Sequence, residues 1–346
     1  MKGLSDAALD HLRTVTDLPD LSGTRYRVVR KLARGGMGSV YVVEDVELGR
    51  EIALKVVSAP GAPAEIEERL RREARVLAGL EHPNIVPVHD VGRLPDGRSF
   101  YVMKLVRGQR LDEWARTGRS RAEILRLYQK VCEAVAFGNA HGVVHRDLKP
   151  DNVMVGPFGE ALVMDWGIAK VLAGEPVASA PGPAGEASPG ATLEGAILGT
   201  PGYMAPEQAA GDNHRIGPRT DVYALGAILY FLLAGRPPHA GRTPLEVVHS
   251  VLKEPPPPLR RLDPRVPRAL EAIVEKALRK DPDGRYGSAL DLAADIDRFL
   301  DGSAPSAHRE TIVDKTGRFI AKNKILLLLV LAYLVARGLV MIFANR

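Results

Sequence analysis

The chain has 346 residues, a length that suits two folding units, each able to bury a core of its own. Hydrophobic residues make up 45% and charged residues 26%, which excludes a disordered chain and one embedded in a membrane for most of its length. A formal charge of +5 spread along the chain, with aromatics at 5%, excludes a nucleic-acid-binding surface, and the single cysteine, Cys132, excludes an intramolecular disulfide.

Residues 1–25 form an N-terminal extension with an amphipathic stretch at 5–16 and no apolar core of the kind a secretory leader carries, so the bulk of the chain is expected in the cytoplasm. From 26 to 106, short β-rich runs at 26–29, 40–43, 52–57 and 100–105 surround one helical pattern at 64–79, which predicts a small sheet carrying a single helix. Gly35, Gly36 and Gly38 sit in the turn between the first two runs, where missing side chains let backbone amides approach phosphate oxygens. A plain tight turn would use the same residues. A strand follows, however, and not the helix that a dinucleotide fold requires, so a glycine-rich hairpin over a nucleotide fits better. Lys55 interrupts the apolar run 52–57. On the helical pattern, Glu65, Glu67 and Glu68 each precede an arginine by four residues and mark the exposed face, whereas Glu73 shares the apolar face with Leu70 and Leu77. A carboxylate turned toward a core needs a cation, and Lys55 is the candidate.

From 107 to 300 helical patterns dominate, at 122–140, 221–234, 267–278 and 288–300. Cys132 lies on the apolar stripe of the first, with Ile124, Tyr128 and Val135, and reads as a buried structural thiol. The densest polar cluster is His145-Arg146-Asp147-Leu148-Lys149-Pro150-Asp151-Asn152, followed by Asp165-Trp166-Gly167 at the end of the apolar run 161–164. Two short strands flanking a polar loop would bring these groups together. Asp147 can then accept a proton from an attacking hydroxyl, Asn152 and Asp165 offer the hard oxygens that Mg²⁺ prefers, and Lys149 can neutralise a transferring phosphoryl group. Residues 171–198 are rich in Gly, Pro and Ala and predict a mobile loop. Residues 301–324 form a polar linker, and 325–344 are apolar at every position except Arg337, long enough to cross a bilayer.

Taken together, these motifs over 26–300 resemble the eukaryotic-like (Hanks-type) protein kinases; Lys149 two residues after Asp147 is similar to their serine/threonine branch, and Asp147-Leu148-Lys149-Pro150 with Gly199-Thr200-Pro201-Gly202-Tyr203 resembles its bacterial members. The resemblance implies an α+β, two-lobed fold: a small β-rich N-lobe with one helix at 26–106, a larger mainly helical C-lobe at 107–300 with its activation segment at 165–207, and one C-terminal transmembrane helix. It implies ATP and Mg²⁺ as cofactors and protein Ser/Thr hydroxyls as acceptors, with autophosphorylation. Leu32, Ala33, Arg34, Gly35, Gly36, Met37, Gly38, Ser39 and Val40 would form the loop over ATP, Lys55 would pair with Glu73 and hold the phosphates, and Ala53, Met103, Lys104 and Val106 would surround adenine. Asp147 would be the base, assisted by Lys149 and Thr200, and Asn152 and Asp165 the metal ligands. Residues 199–207 would bind the acceptor peptide, with Arg285 pairing Glu207 and Asp221 bracing the catalytic loop. Two departures stand out: Ala33 replaces the first glycine of the loop, and Trp166 replaces the phenylalanine after the metal-binding aspartate. Neither removes a charged group.

Further expectations concern regulation and location. Thr192, Ser188 and Ser179 are candidate phosphosites, with Arg146 as the cation such a phosphate would meet. Lys315, Arg318, Lys322 and Lys324 precede the apolar helix, which places the catalytic domain on the cytoplasmic side of a single-pass protein of the cell membrane. With only Asn345 and Arg346 beyond that helix, no external sensor domain is expected. Ala332 and Ala336, four apart, would let two such helices approach as a homodimer. The competing readings are a membrane-bound pseudokinase scaffold and a small-molecule phosphotransferase; the complete charged set and the 199–207 segment argue against them.

Overall fold

The computed structural model describes residues 18–35, 38–57, 78–166 and 201–308, with a few positions between 328 and 337. Gly36, Met37, Glu73 with nearly all of the helix expected at 64–79, and Ser179, Ser188, Thr192 and Thr200 lie outside the described residues.

Five antiparallel strands, β1 (Tyr26–Gly35), β2 (Gly38–Asp45), β3 (Arg50–Val57), β4 (Val88–Arg93) and β5 (Ser99–Met103), form one sheet in the order β1-β2-β3-β5-β4. Side chains alternate across it, so each β3 residue faces the side its cross-strand neighbours face. Tyr41, Val43, Ile52, Leu54, Val56, Phe100 and Val102 share one face and close a small core with Leu21 and Tyr26. Tyr101 lies on the opposite face and belongs to the larger core, with Met103 packed against it. One sheet thereby serves two cores.

β1 is longer than the apolar run at 26–29 suggested. It twists outward through irregularities at Val28/Arg30 and Lys31/Ala33, with Val29 and Leu32 exposed, so its second half has no buried face to enforce an alternation. β4 carried no strand signal because every one of its six positions is polar, glycine or partly exposed, and it lies at the sheet edge. β5 stops at Met103, two residues short of expectation, as the Lys104 amide turns to the carbonyl of Pro87 at 3.2 Å.

The second lobe is built on α1 (Leu111–Ala115), α2 (Arg121–Ala140), α3 (Pro206–Ala209), α4 (Pro218–Ala234), α5 (Pro244–Lys253), α6 (Leu259–Leu262), α7 (Arg268–Ala277) and α8 (Ala289–Leu300). A small sheet of β6 (Gln109–Arg110), β7 (Val153–Val155) and β8 (Ala161–Val163) lies beside α2. α2 starts at a reciprocal cap in which Ser120 and Glu123 each satisfy the other's backbone amide. It buries Leu125, Tyr128, Val131, Cys132 and Val135 against α4 and α8, and Tyr128 donates to the Leu225 carbonyl at 2.9 Å. Each such side chain contributes about 1.5–3 kcal/mol. α4 is buried nearly all round, the reading its length and apolarity suggested. The positions described between 328 and 337 are helical, with Leu328, Leu329, Tyr333 and Leu334 more than half exposed, and no helix among the described residues is long and apolar enough to cross a membrane.

Candidate functional site

The register of the first sheet places the nucleotide-side candidates in two rows. Val40, Lys55 and Tyr101 lie opposite one another, and Val42, Ala53 and Met103 form the next row two residues away. Lys55 therefore projects from the face turned to the second lobe, which is why a cation can interrupt an otherwise apolar strand. It is 7% exposed, and its Nζ lies 2.6 Å from Oδ1 of Asp165. The Tyr101 hydroxyl donates to the same oxygen at 3.2 Å. Burial alone would raise the Asp165 carboxyl, but Lys55 and these hydrogen bonds overcome it and hold the group below its usual range. Tyr101 carried no sequence signal beyond its place in an apolar run. The Lys104 amide is occupied by Pro87, so of that residue it is the carbonyl that can meet a base.

The loop between α2 and β7 is held from beneath by one carboxylate. Asp221, at the start of α4, accepts from the backbone amides of His145 at 2.8 Å and Arg146 at 3.0 Å and from Nδ2 of Asn139 at 2.8 Å. Arg146 has φ +64°, a conformation costly for a side-chain-bearing residue, and the Asp221 clamp offsets that cost. His145 accepts from the Asp147 amide at Nδ1 and meets the Met164 carbonyl at 2.8 Å through Nε2, a pattern that fits a neutral ring protonated at Nε2. The Asp147 carboxylate then receives Lys149 Nζ at 3.0 Å and Asn152 Nδ2 at 3.0 Å. It remains about one-fifth exposed, as a group that must meet a substrate requires.

Asn152 spends its amide nitrogen on Asp147, through both the backbone carbonyl and the carboxylate, which leaves its Oδ1 as a ligand oxygen. Its carbonyl accepts from Met164 N at 2.9 Å and so sets Asn152 beside Asp165. No group of three or more His, Cys, Asp or Glu that could hold a metal alone occurs among the described residues. One amide oxygen and one carboxylate suit Mg²⁺ that arrives with nucleotide phosphates and completes its shell from them.

Trp166 is 4% exposed and stacks on His145 with ring centroids 4.9 Å apart. Its six-membered ring lies over Gly138 of α2, where a Cβ would come within 2.2 Å of Cζ3. A larger aromatic is thus accommodated by the absence of a side chain beneath it. The expectation that a buried indole N–H finds an acceptor is not met: Nε1 has no hydrogen-bond partner among the described residues.

Glu207 and Arg285 form a buried two-pronged pair at 2.8 and 2.7 Å. Thr220 adds a hydrogen bond to Glu207 at 2.8 Å, and the other guanidinium donors reach the carbonyls of Arg219, Arg279 and Lys280. Gln208 connects this block to the catalytic loop by donating to the Arg146 carbonyl at 2.8 Å. Neither Thr220 nor Gln208 was legible as a site residue.

The arrangement matches known proteins along most of its length. Residues 26–295 match the family model described as the protein kinase domain. The serine/threonine-protein kinase PknB of Mycolicibacterium smegmatis is 37% identical over 295 residues, 84% of this chain and 45% of that protein. PknA of Mycobacterium tuberculosis is 39% identical over 298 residues, 84% and 64% respectively, and PrkC of Bacillus subtilis 35% identical over 291 residues, 83% and 42%. The chain thus spans only part of the length of these relatives. Among solved structures, the Mycobacterium tuberculosis PknI kinase domain superposes with a TM-score of 0.59 at 28% identity, covering 81% of this chain and 98% of that one.

Proposed function

The chain belongs to the protein kinase family, in its bacterial serine/threonine branch, and from that membership we propose that it transfers the γ-phosphoryl group of Mg-ATP to Ser or Thr hydroxyls of proteins, itself included. The observation that carries this reading is the continuous set of contacts from Lys55 to Asp165 and, through Met164 and Asn152, to Asp147. A scaffold has no physical need for every member of it. Lys55 is placed to exchange Asp165 for phosphate oxygens, and Lys149 to neutralise charge as it develops on the transferred group. Asp147 orients the acceptor hydroxyl and takes its proton. Mg²⁺ bound with the nucleotide would be held by Asn152 and Asp165 and would neutralise phosphate charge there.

Asp147→Asn and Lys55→Met are each expected to lower phosphoryl transfer by about 10²–10⁴-fold with the melting temperature unchanged, measured with radiolabelled ATP and a generic protein acceptor. Turnover in Asp147→Asn within about threefold of the parent chain would sink the catalytic assignment.

The same proposal includes a regulated, membrane-anchored enzyme. Phosphorylation at Thr192, Ser188 or Ser179 would switch it, and mass mapping of active protein tests that. Residues 325–344 would anchor it in the cell membrane with the catalytic domain inside, and paired helices would make it a homodimer. Carbonate-washed membranes should retain the chain, and external protease should spare its catalytic domain.

A further inference from the structure

A cleft of about 660 Å³, with none of residues 145–152 in its lining, opens in the second lobe between the segment after β5, α1, the first half of α2 and the β7–β8 turn. Its volume falls within the roughly 300–1,000 Å³ of ligand sites. Four cations line it: Arg107, Arg119, Arg126 and Lys130. The one carboxylate there, Glu123, already accepts from the Ser120 amide at 2.8 Å as half of the α2 cap, so it is fixed in place and outnumbered. Arg126 is exposed and has no ion-pair partner among the described residues, and the pair between Arg107 and Glu51 is exposed and contributes little. Arg119 is stacked over Trp114 at 5.3 Å, which preorganises its guanidinium.

A second observation points to a partner. Phe158 stands at the tip of the β7–β8 turn, between two residues that line the cleft, and is 93% exposed. A phenylalanine held out into water beside a cationic cleft has no role in the fold. Aromatics and arginines are the side chains that protein interfaces favour, and here they stand together.

We propose that this cleft is a docking site for an acidic, extended segment of a protein substrate that also carries an apolar side chain. Carboxylates would meet Arg119, Arg126 and Lys130, and the apolar side chain would cover Phe158. The proposal rests on the reading of the chain as a protein kinase. A peptide is favoured over a nucleic acid because cations and aromatics meet at one spot and do not form the track that successive nucleotides follow. The cleft starts immediately past Val106, so a docked segment would be tethered near the nucleotide site without touching Asp147 or Lys55.

The test uses the full chain and a fluorescein-labelled, glutamate-rich peptide containing one leucine, read by anisotropy. The parent chain should bind it, Arg119→Glu with Arg126→Glu should weaken binding by about tenfold or more, and Phe158→Ser should remove the preference for the leucine. In turnover assays, appending the peptide to a generic acceptor should lower KM for the parent chain alone, with kcat on the untailed acceptor equal in parent and variants. Equal binding by parent and charge-reversed chains, equal binding of a lysine-rich peptide, or preferential binding of a single-stranded oligonucleotide would each overturn the proposal. Anisotropy reads the cleft and turnover of the untailed acceptor reads the catalytic assignment, so either can fail alone.

Discussion

Asp221 and Asp295 are both fully buried carboxylates that gather backbone amides, yet they sit in opposite electrostatic situations. Asp221 holds His145 and Arg146 with neutral donors around it, and burial pushes its carboxyl above the usual range against three hydrogen bonds that favour ionisation. Asp295, in α8, accepts from the amides of Ser306 at 2.7 Å and Ala307 at 3.0 Å, from the hydroxyls of Tyr286 and Ser306, and from Arg298. Burial raises it too, but the donors prevail and the group is held below its usual range. One carboxylate holds the loop at His145 and Arg146 with its burial cost uncompensated; the other fastens the chain after α8 to the lobe with donors that outweigh that cost. Equal burial does not mean equal stability.

The largest effect that would break this contrast is expected from Asp221→Ala. Two buried amides lose their acceptor, at about 1–3 kcal/mol each, and the strained turn at Arg146 relaxes. Activity should fall by about a hundredfold or more, because small misplacements of a catalytic group are that costly. Asp295→Ala should instead lower stability by about 2–3 kcal/mol in urea unfolding, with kcat within about twofold of the parent below the melting transition. Similar losses of kcat in both variants would erase the distinction.

Gly138→Ala comes next. Its Cβ meets the Trp166 ring, so a loss of about 1–3 kcal/mol is expected, recovered in large part by adding Trp166→Phe. Trp114→Phe leaves Trp166 as the single emitter, and its fluorescence would report whether the ring leaves its seat.

The smallest effect is in pH. Asp295 and Glu207, both depressed, contribute stability that is present above the unfolded carboxylate value of about 4 and is lost as pH falls through their folded values. Asp221, raised, contributes in the other sense: its share is full below the unfolded value and diminishes as pH rises through the folded one. With Asp221 raised and Asp295 and Glu207 depressed, acidification is expected to reach Asp221 before the other two and to weaken it as an acceptor while they still hold the fold. Activity should therefore fall at a higher pH than the unfolding transition seen by circular dichroism, and coincident transitions would refute the assignment.

Much of this was legible because apolar periodicity and charged motifs are written locally. The strands around Val40 and Lys55 and the helices at α2, α4, α7 and α8 all carry a buried face long enough to leave a pattern. α5 escaped notice although Thr243 caps it and Pro244 opens it, because only Val247, Val248 and Val251 are buried along its ten residues. Contacts made across the chain were legible only where the family resemblance supplied them, as with Arg285 against Glu207 and Asp221 beneath the catalytic loop. The expected Lys55–Glu73 pair lies outside the described residues, and the contact of Lys55 with Asp165, 110 positions away, was not read from the sequence. The seat that Gly138 makes for Trp166 is likewise a matter of three-dimensional proximity.

That seat constrains descent as well as structure. A side chain at 138 forces the indole to shift from its seat at a cost, whereas a phenylalanine over Gly138 leaves only a void, which a folded domain tolerates. The route of lower cost from phenylalanine to tryptophan at 166 therefore empties position 138 first, and the return restores the smaller ring before it refills the helix. The two sites are thus coupled, and a family tree of such chains should contain the glycine with either aromatic but the tryptophan mostly with the glycine.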